Sequence, residues 1–187
     1  MPDADGLGGR LLVAQPHLID PNFSRTVVLL LQHGDEGALG VVLNRPSEVR
    51  MVEALPAWSS FAAAPSLVFS GGPVADDGTA ICLARARPGI DPDAFKPLGG
   101  DMGTLDVGRD PVLVGPGVDE IRLFAGYAGW GAGQLEMEIE TGGWWVLDAR
   151  PSDVFTSDPA RLWQAALGRQ RGTLAWFAFY PPDPALN

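Results

Sequence analysis

His17, His33 and Cys82 are the only imidazoles and the only thiol in the chain. Their chemistry suits a metal ion or a catalytic nucleophile and its base. Their spacing assembles neither. No H-x-x-x-H or C-x-x-C pair puts two ligands on one face or in one turn, so no metal is expected. Ser70 precedes Gly71 and Gly72, where a sharp turn would expose its hydroxyl. The residue upstream is Phe69, however, so the G-x-S-x-G elbow is absent. A set drawn from Ser70, His33 and an aspartate needs geometry that the sequence does not supply. The simpler role of Gly71-Gly72-Pro73 is to turn the chain after a buried strand. Gly129-Trp130-Gly131-Ala132-Gly133 precedes a helix, and helix starts attract anions. Gln134 stands where G-x-G-x-x-G needs its last glycine, and Glu136, Glu138 and Glu140 follow with repelling charge. Close backbone packing beside Tyr127 and Trp130 is the plainer reading. No catalytic residue and no cofactor is therefore assigned, and the chain leans away from an enzyme.

Polar residues without an obvious core role remain. Arg25, Asn44, Arg45, Gly71, Gly72 and Gln134 form the candidate site for an anion or a partner. His33, Tyr127 and Trp130 are its secondary members. Two arginines beside backbone N–H groups of glycine turns suit a carboxylate or phosphate. The competing role is structural: Arg25 and Arg45 bond loop carbonyls or acidic side chains and hold the turns.

These residues need elements to position them. Leu11–Ala14, Arg25–Gln32 and Ala38–Asn44 read as strands, rich in aliphatic and β-branched side chains. The second and third are joined by His33-Gly34-Asp35-Glu36-Gly37, a hairpin connection. Antiparallel pairing puts Arg25 near Asn44 and Arg45 and leaves His33 at the turn. The Gly71-Gly72 and Gly129–Gly133 turns are placed beside the Arg25 end. Val49, Val52 and Leu55 recur every three residues and predict a helix over 48–55 capped by Ser47. Further strands are expected at Leu67–Phe69, Thr79–Ala84, Ile121–Ala125 and Trp144–Leu147. Trp144 and Trp145 should point to opposite faces. Pro88–Asp101 reads as a loop, because prolines and glycines crowd it. Gly126–Gly133 reads as a turn. Helices are predicted near 133–141 and 159–167, the latter with Asp158 as N-cap, Pro159 at its first position and Gly168 at its end. Thr173–Tyr180 reads as extended. The sum is an α+β fold with a mixed sheet.

Composition narrows the partners. The chain has 187 residues, consistent with a single domain over 1–187, and a formal net charge of −10. Its 13 cations, 12 arginines and Lys96, are spread thinly. Duplex DNA needs a basic face, so it is not expected as a direct partner. The N-terminus has no basic segment followed by an apolar stretch, and apolar runs such as Val27–Leu31 are too short to span a membrane. A cytoplasmic location is the expectation. Cys82 lies among Thr79, Ala80, Ile81 and Leu83, the setting of an inert buried thiol.

The blocks Gly9–Ala14, Asp20–Phe23, Arg25–Val28, Gly37–Gly40, Asn44-Arg45-Pro46, Ser70–Val74, Gly126–Trp130 and Gly133–Glu136, with His33 and Trp163, carry a resemblance. In their order and extent they resemble the YqgE/AlgH family of bacterial proteins. The resemblance implies an α+β fold whose branched sheet curls into a pseudo-barrel with flanking helices. It implies no known reaction. One branch of that family is described as a transcriptional regulator, a role that would act here through another protein. A cytoplasmic binding or regulatory protein with an unidentified protein partner is the reading that follows. A binder of a small anionic ligand, or an enzyme, using a pocket between the motif loops is the alternative.

Overall fold

Leu11-Leu12-Val13-Ala14 and Val27-Val28-Leu29-Leu30 show no alternation of polar and apolar residues, and every one of these side chains is buried. A strand of that kind must be covered on both faces. The computed structural model, which describes residues 6–75 and 78–181, shows how. The strands are β1 (Arg10–Ala14), β2 (Val27–Gly34), β3 (Gly37–Val42), β4 (Pro46–Arg50), β5 (Leu67–Ser70), β6 (Ala80–Ala86), β7 (Phe95–Gly99), β8 (Met102–Leu105), β9 (Val118–Ala125), β10 (Ala128–Gly131) and β11 (Trp144–Asp148). The α-helices are α1 (Met51–Ala54), α2 (Pro111–Val114), α3 (Gln134–Glu140), α4 (Pro151–Val154) and α5 (Leu162–Gly168).

Two sheets form. The first has the order β10-β3-β2-β1-β11 and is antiparallel throughout. The second has the order β4-β5-β9-β6-β8-β7, and its β5–β9 pair is parallel, so the fold is mixed α+β. The sheets do not close into a barrel; the pseudo-barrel is a loose description of two open sheets. Leu11, Val13, Val27, Leu29 and Val41 from the first sheet meet Phe69, Leu83 and Phe124 from the second in one core, completed by Leu162, Trp163 and Ala166 of α5. The opposite face of the first sheet, with Leu12, Val28, Leu30 and Val42, lies under Leu135 of α3, Trp130 and Trp144. The opposite face of the second packs Cys82, Ala84 and Leu123 with Met51, Trp58 and Val114. Trp144 and Trp145 do fall on opposite faces. Trp144 belongs to the α3 side, while Trp145 packs on Phe177 with ring centroids 4.8 Å apart.

Arg122 is the largest polar side chain inside. It is 1% exposed, lies over the Phe69 ring and donates to the carbonyls of Val154, Thr156 and Ala64. Burial pushes its guanidinium down to about 10, partly opposed by Glu120. One cation thereby ties β9 to the turns at both of its sides.

Four sequence expectations fail. The helix over 48–55 is a strand followed by one helical turn. β4 pairs with β5, the Ser47 hydroxyl donates to the Val68 carbonyl instead of capping, and Val49 and Val52 stay about half exposed. Their three-residue spacing therefore reports no buried face. Pro88–Asp101 contains β7, which forms a hairpin with β8. Pro97 is tolerated because β7 is an edge strand, and Gly100 turns the chain at φ 58°. Gly126–Gly133 contains β10. The expected extended tail is a 3₁₀ helix, Gly172–Phe179, docked on α5. The last helix lies where expected, as a 3₁₀ turn at Pro159–Arg161 running into α5, although the Asp158 side chain makes no cap bond.

Candidate functional site

The β2–β3 pairing decides which candidate residues meet. Val28 faces Val42, and His33 faces Ala38 at the hairpin end. Arg25 precedes β2 in a left-handed conformation, φ 55°, and Asn44 follows β3. Asn44 locks these ends: its Oδ1 accepts from Val27 N at 3.0 Å, and its Nδ2 donates to the Arg25 carbonyl at 2.9 Å. Gly71 joins the same end through Val42 N, which donates to the Gly71 carbonyl at 2.8 Å. Gly71 and Gly72 are required there by space. A Cβ on Gly71 would stand 2.2 Å from the Gly126 carbonyl oxygen, and one on Gly72 would stand 2.3 Å from the Tyr127 backbone.

The two arginines of this end differ. The Arg25 guanidinium lies 4.0 Å over the Trp163 ring and donates to the carbonyls of Tyr180 and Pro181. Burial holds its pKa below the usual arginine value. Among the described residues Arg45 donates only through Nη2, to the carbonyls of Ser24 at 3.1 Å and Pro21 at 3.4 Å. It lines a cleft of about 340 Å³ with Pro21, Asn22, Ser70, Gly72 and Pro73.

His33, Trp130 and Gln134 form a second group at the opposite end of the hairpin. Gly131 faces Gly37, so the glycine-rich stretch 129–133 lies with His33 and not beside Arg25. The centre of this group is Glu138, whose carboxylate receives Trp130 Nε1 at 3.0 Å, Trp144 Nε1 at 2.8 Å and Gln134 Nε2 at 3.0 Å. Gln134 in turn accepts from Gly131 N. Phe23 stacks on Trp130 and meets Trp144 edge-on, so three rings fill the space above the sheet. His33 accepts from Leu7 N at Nδ1, which leaves Nε2 to donate to Glu136 at 2.7 Å. Glu136 is held below the ordinary carboxylate range, first by its own backbone N–H and then by His33. A cleft of about 740 Å³ opens beside His33, between the β2–β3 turn and Lys96-Pro97-Leu98. Among the described residues no cluster of His, Cys, Asp and Glu has the arrangement of a metal site.

Sequence reasoning missed Glu138, taking it only for a repelling charge. Its signal was available: Gln134 and Glu138 stand four apart, on one face of a helix that follows a tryptophan. It also missed the ion pair of Arg169 with Asp153, which closes α4 against the end of α5.

The AlgH-like family model matches residues 11–175. The chain belongs to the AlgH-like family. A UPF0301 protein of Streptomyces coelicolor is 48% identical over 190 residues, covering 100% of this chain and 98% of the relative. One from Thermobifida fusca is 45% identical, covering 99% of this chain and 98% of the relative. Among solved structures, the crystal structure of protein DIP2367 from Corynebacterium diphtheriae matches with a TM-score of 0.87 at 30% identity, covering 96% of this chain and 95% of that one. The solution structure of the AlgH protein from Pseudomonas aeruginosa matches with a TM-score of 0.70 at 30% identity, covering 97% of each chain. The AlgH-like family is one of unknown function, and these matches assign no reaction to the candidate site.

Proposed function

We propose that this AlgH-like protein is a cytoplasmic binding protein that acts through contact with another protein. The observation that carries this reading is the outer face of the 3₁₀ helix Gly172–Phe179. In a 3₁₀ helix residues three apart eclipse. Leu174 and Phe177 turn inward onto the core, while Trp176 and Phe179 are 80% and 89% exposed. Exposed tryptophan and phenylalanine side by side are the common anchors of protein interfaces. The charge around them favours an acidic partner. Residues 159–181 contain Arg161, Arg169 and Arg171 and no acid, in a chain of net charge −10. Arg161 and Arg171 are exposed and have no ion-pair partner among the described residues. The occupant we propose is a protein surface with an apolar pocket rimmed by Asp and Glu. Duplex DNA would be repelled by the net charge, so any regulatory role runs through that partner.

A photoreactive amino acid at Thr173, beside Trp176, tests this. One protein should crosslink from position 173 and not from the exposed control position Asp101. Once purified, that protein should bind the Trp176→Ser/Phe179→Ser variant at least about tenfold more weakly, and bind the wild type more weakly as salt rises. A crosslink only to a second copy of the chain, or equal binding by the variant, would overturn the reading.

A further inference from the structure

Among the described residues, Arg45 is a cation without a carboxylate partner. Six of the twelve arginines form ion pairs among the described residues, and Arg45 is not one of them. Its Nη2 is taken by two carbonyls, but among the described residues Nε and Nη1 have no acceptor. The cleft it lines adds neutral donors. The Ser70 hydroxyl, the Asn22 side-chain amide and the Gly72 N–H have no partner among the described residues. Among the described residues none that lines it is acidic, and the Asp20 carboxylate next to it in sequence accepts from the Asn22 backbone N–H at 2.8 Å. The walls are stiff. Pro21, Pro46 and Pro73 form part of them, Ser70 N is held by the Arg45 carbonyl at 2.8 Å, and Gly71 and Gly72 press on the 126–127 backbone. A fixed cation with uncommitted N–H and O–H donors and no ion-paired carboxylate among the described residues is complementary to an oxyanion.

We infer that the Arg45 cleft is a binding site for a small oxyanion, a phosphate or carboxylate group, with Arg45 supplying the charge and Ser70, Gly72 and Asn22 the further donors. Arg25 is not part of it, because its guanidinium is committed to Trp163 and the tail carbonyls. Asn44 holds the β2 and β3 ends, and Gln134 belongs to the Glu138 group. About 340 Å³ admits a free ion of a few heavy atoms or the end of a partner's acidic side chain. The inference stands apart from the Trp176–Phe179 face and does not depend on it.

Amide NMR titration at constant ionic strength separates the outcomes. One arm uses inorganic phosphate, a second acetate, and a third a short acidic peptide with blocked ends. At least one should shift the Ser70 and Gly72 amides saturably, with a Kd on the order of 1 mM or tighter. Phosphate acting alone marks a free phosphorylated ligand, and the peptide outdoing acetate marks a partner's carboxylate. Arg45→Gln should weaken the active arm at least about tenfold, and Ser70→Ala about two- to threefold with the rest of the spectrum unchanged. Shifts that never saturate in any arm, or that are the same in Arg45→Gln and Ser70→Ala as in the wild type, would overturn the inference.

Discussion

At Glu138 three side-chain N–H donors end on one carboxylate, and two of the donor rings, Trp130 and Trp144, pack against each other and Phe23. At Arg45 two of three guanidinium nitrogens lack a protein acceptor among the described residues, and a cleft lies open beside them. Both places are built from polar residues next to glycine-rich turns, at the two ends of the same β2–β3 hairpin. The difference is how far the polar groups are spent on the protein itself. A group whose hydrogen bonds are complete contributes to holding the fold, and its loss leaves partners stranded. A group with bonds to spare costs little to remove and is free to recognise something else. Arg25 falls with Glu138 on this measure, because stacking on Trp163 and two carbonyls commit it.

The largest effect should come from Glu138→Ala. Two indole N–H groups in a part-buried setting lose their acceptor, and α3 loses its tie to β10 and β11. A loss of about 2–4 kcal/mol in unfolding free energy is expected by urea denaturation. Glu138→Gln keeps one acceptor and should recover about half. An alanine variant as stable as the wild type would remove the contrast between the two ends. The same denaturation tests a proposal about domain organisation. Both sheets contribute to one core with α5, so the chain should unfold in a single transition. Two transitions would mean that the sheets fold separately.

Arg25→Ala should cost less, about 1–2 kcal/mol, from the lost stacking on Trp163 and the two freed carbonyls. The tail should answer first, so hydrogen exchange over 172–180 is the sensitive measure. Unchanged protection there would place Arg25 with Arg45 as an uncommitted cation.

Much of this could be read from the sequence, for identifiable reasons. β1 and the first half of β2 are unbroken aliphatic runs, and burial on both faces keeps such runs apolar whatever packs on them. The β2–β3 hairpin follows from its two glycines, and with it the meeting of Arg25 with Asn44 and Arg45. What failed was weakly marked. β4 and β7 are edge strands, where exposed Val49 or a central Pro97 costs little, so neither leaves a strand signature. The tail 172–179 has a period of three, which a helix-or-strand choice cannot register. At the candidate site, the residue types were legible but their commitments were not. Whether a guanidinium is free depends on carbonyls as far away in sequence as Pro181 for Arg25, or Ser24 for Arg45.

The pair of His33 and Glu136 should give a smaller effect, and its sign is fixed by the carboxylate. Glu136 has a folded pKa below its ordinary 4.5, so it contributes stability that is present above pH 4.5 and lost as pH falls through the folded value. Both partners meet solvent, with 47% of the Glu136 side chain exposed, so the contribution is less than about 0.5 kcal/mol. Glu136→Gln should lower stability at neutral pH by that amount, flatten the acid limb of the stability–pH curve, and meet the wild type below the folded pKa of Glu136. A wild-type curve without that limb would show that the contact stabilises nothing.

The smallest effect on stability should be that of Arg45→Gln. Only two carbonyl contacts are lost, one of them 3.4 Å long, and both carbonyls lie at a turn that water reaches. The change in unfolding free energy should stay within about 0.5 kcal/mol in a buffer free of phosphate and carboxylate. Adding the anion that fills the cleft should then stabilise the wild type and not the variant, since a ligand that binds only the folded state adds RT ln(1 + [L]/Kd). At ten times Kd that is about 1.4 kcal/mol. The wild type and Arg45→Gln should therefore have equal stability without the anion and separate with it, whereas Glu138→Ala should lie below the wild type by the same amount in both buffers. If Arg45→Gln proves as destabilising as Glu138→Ala without any anion, Arg45 is a fold-holding residue like Glu138, and the two ends of the hairpin are built for the same purpose.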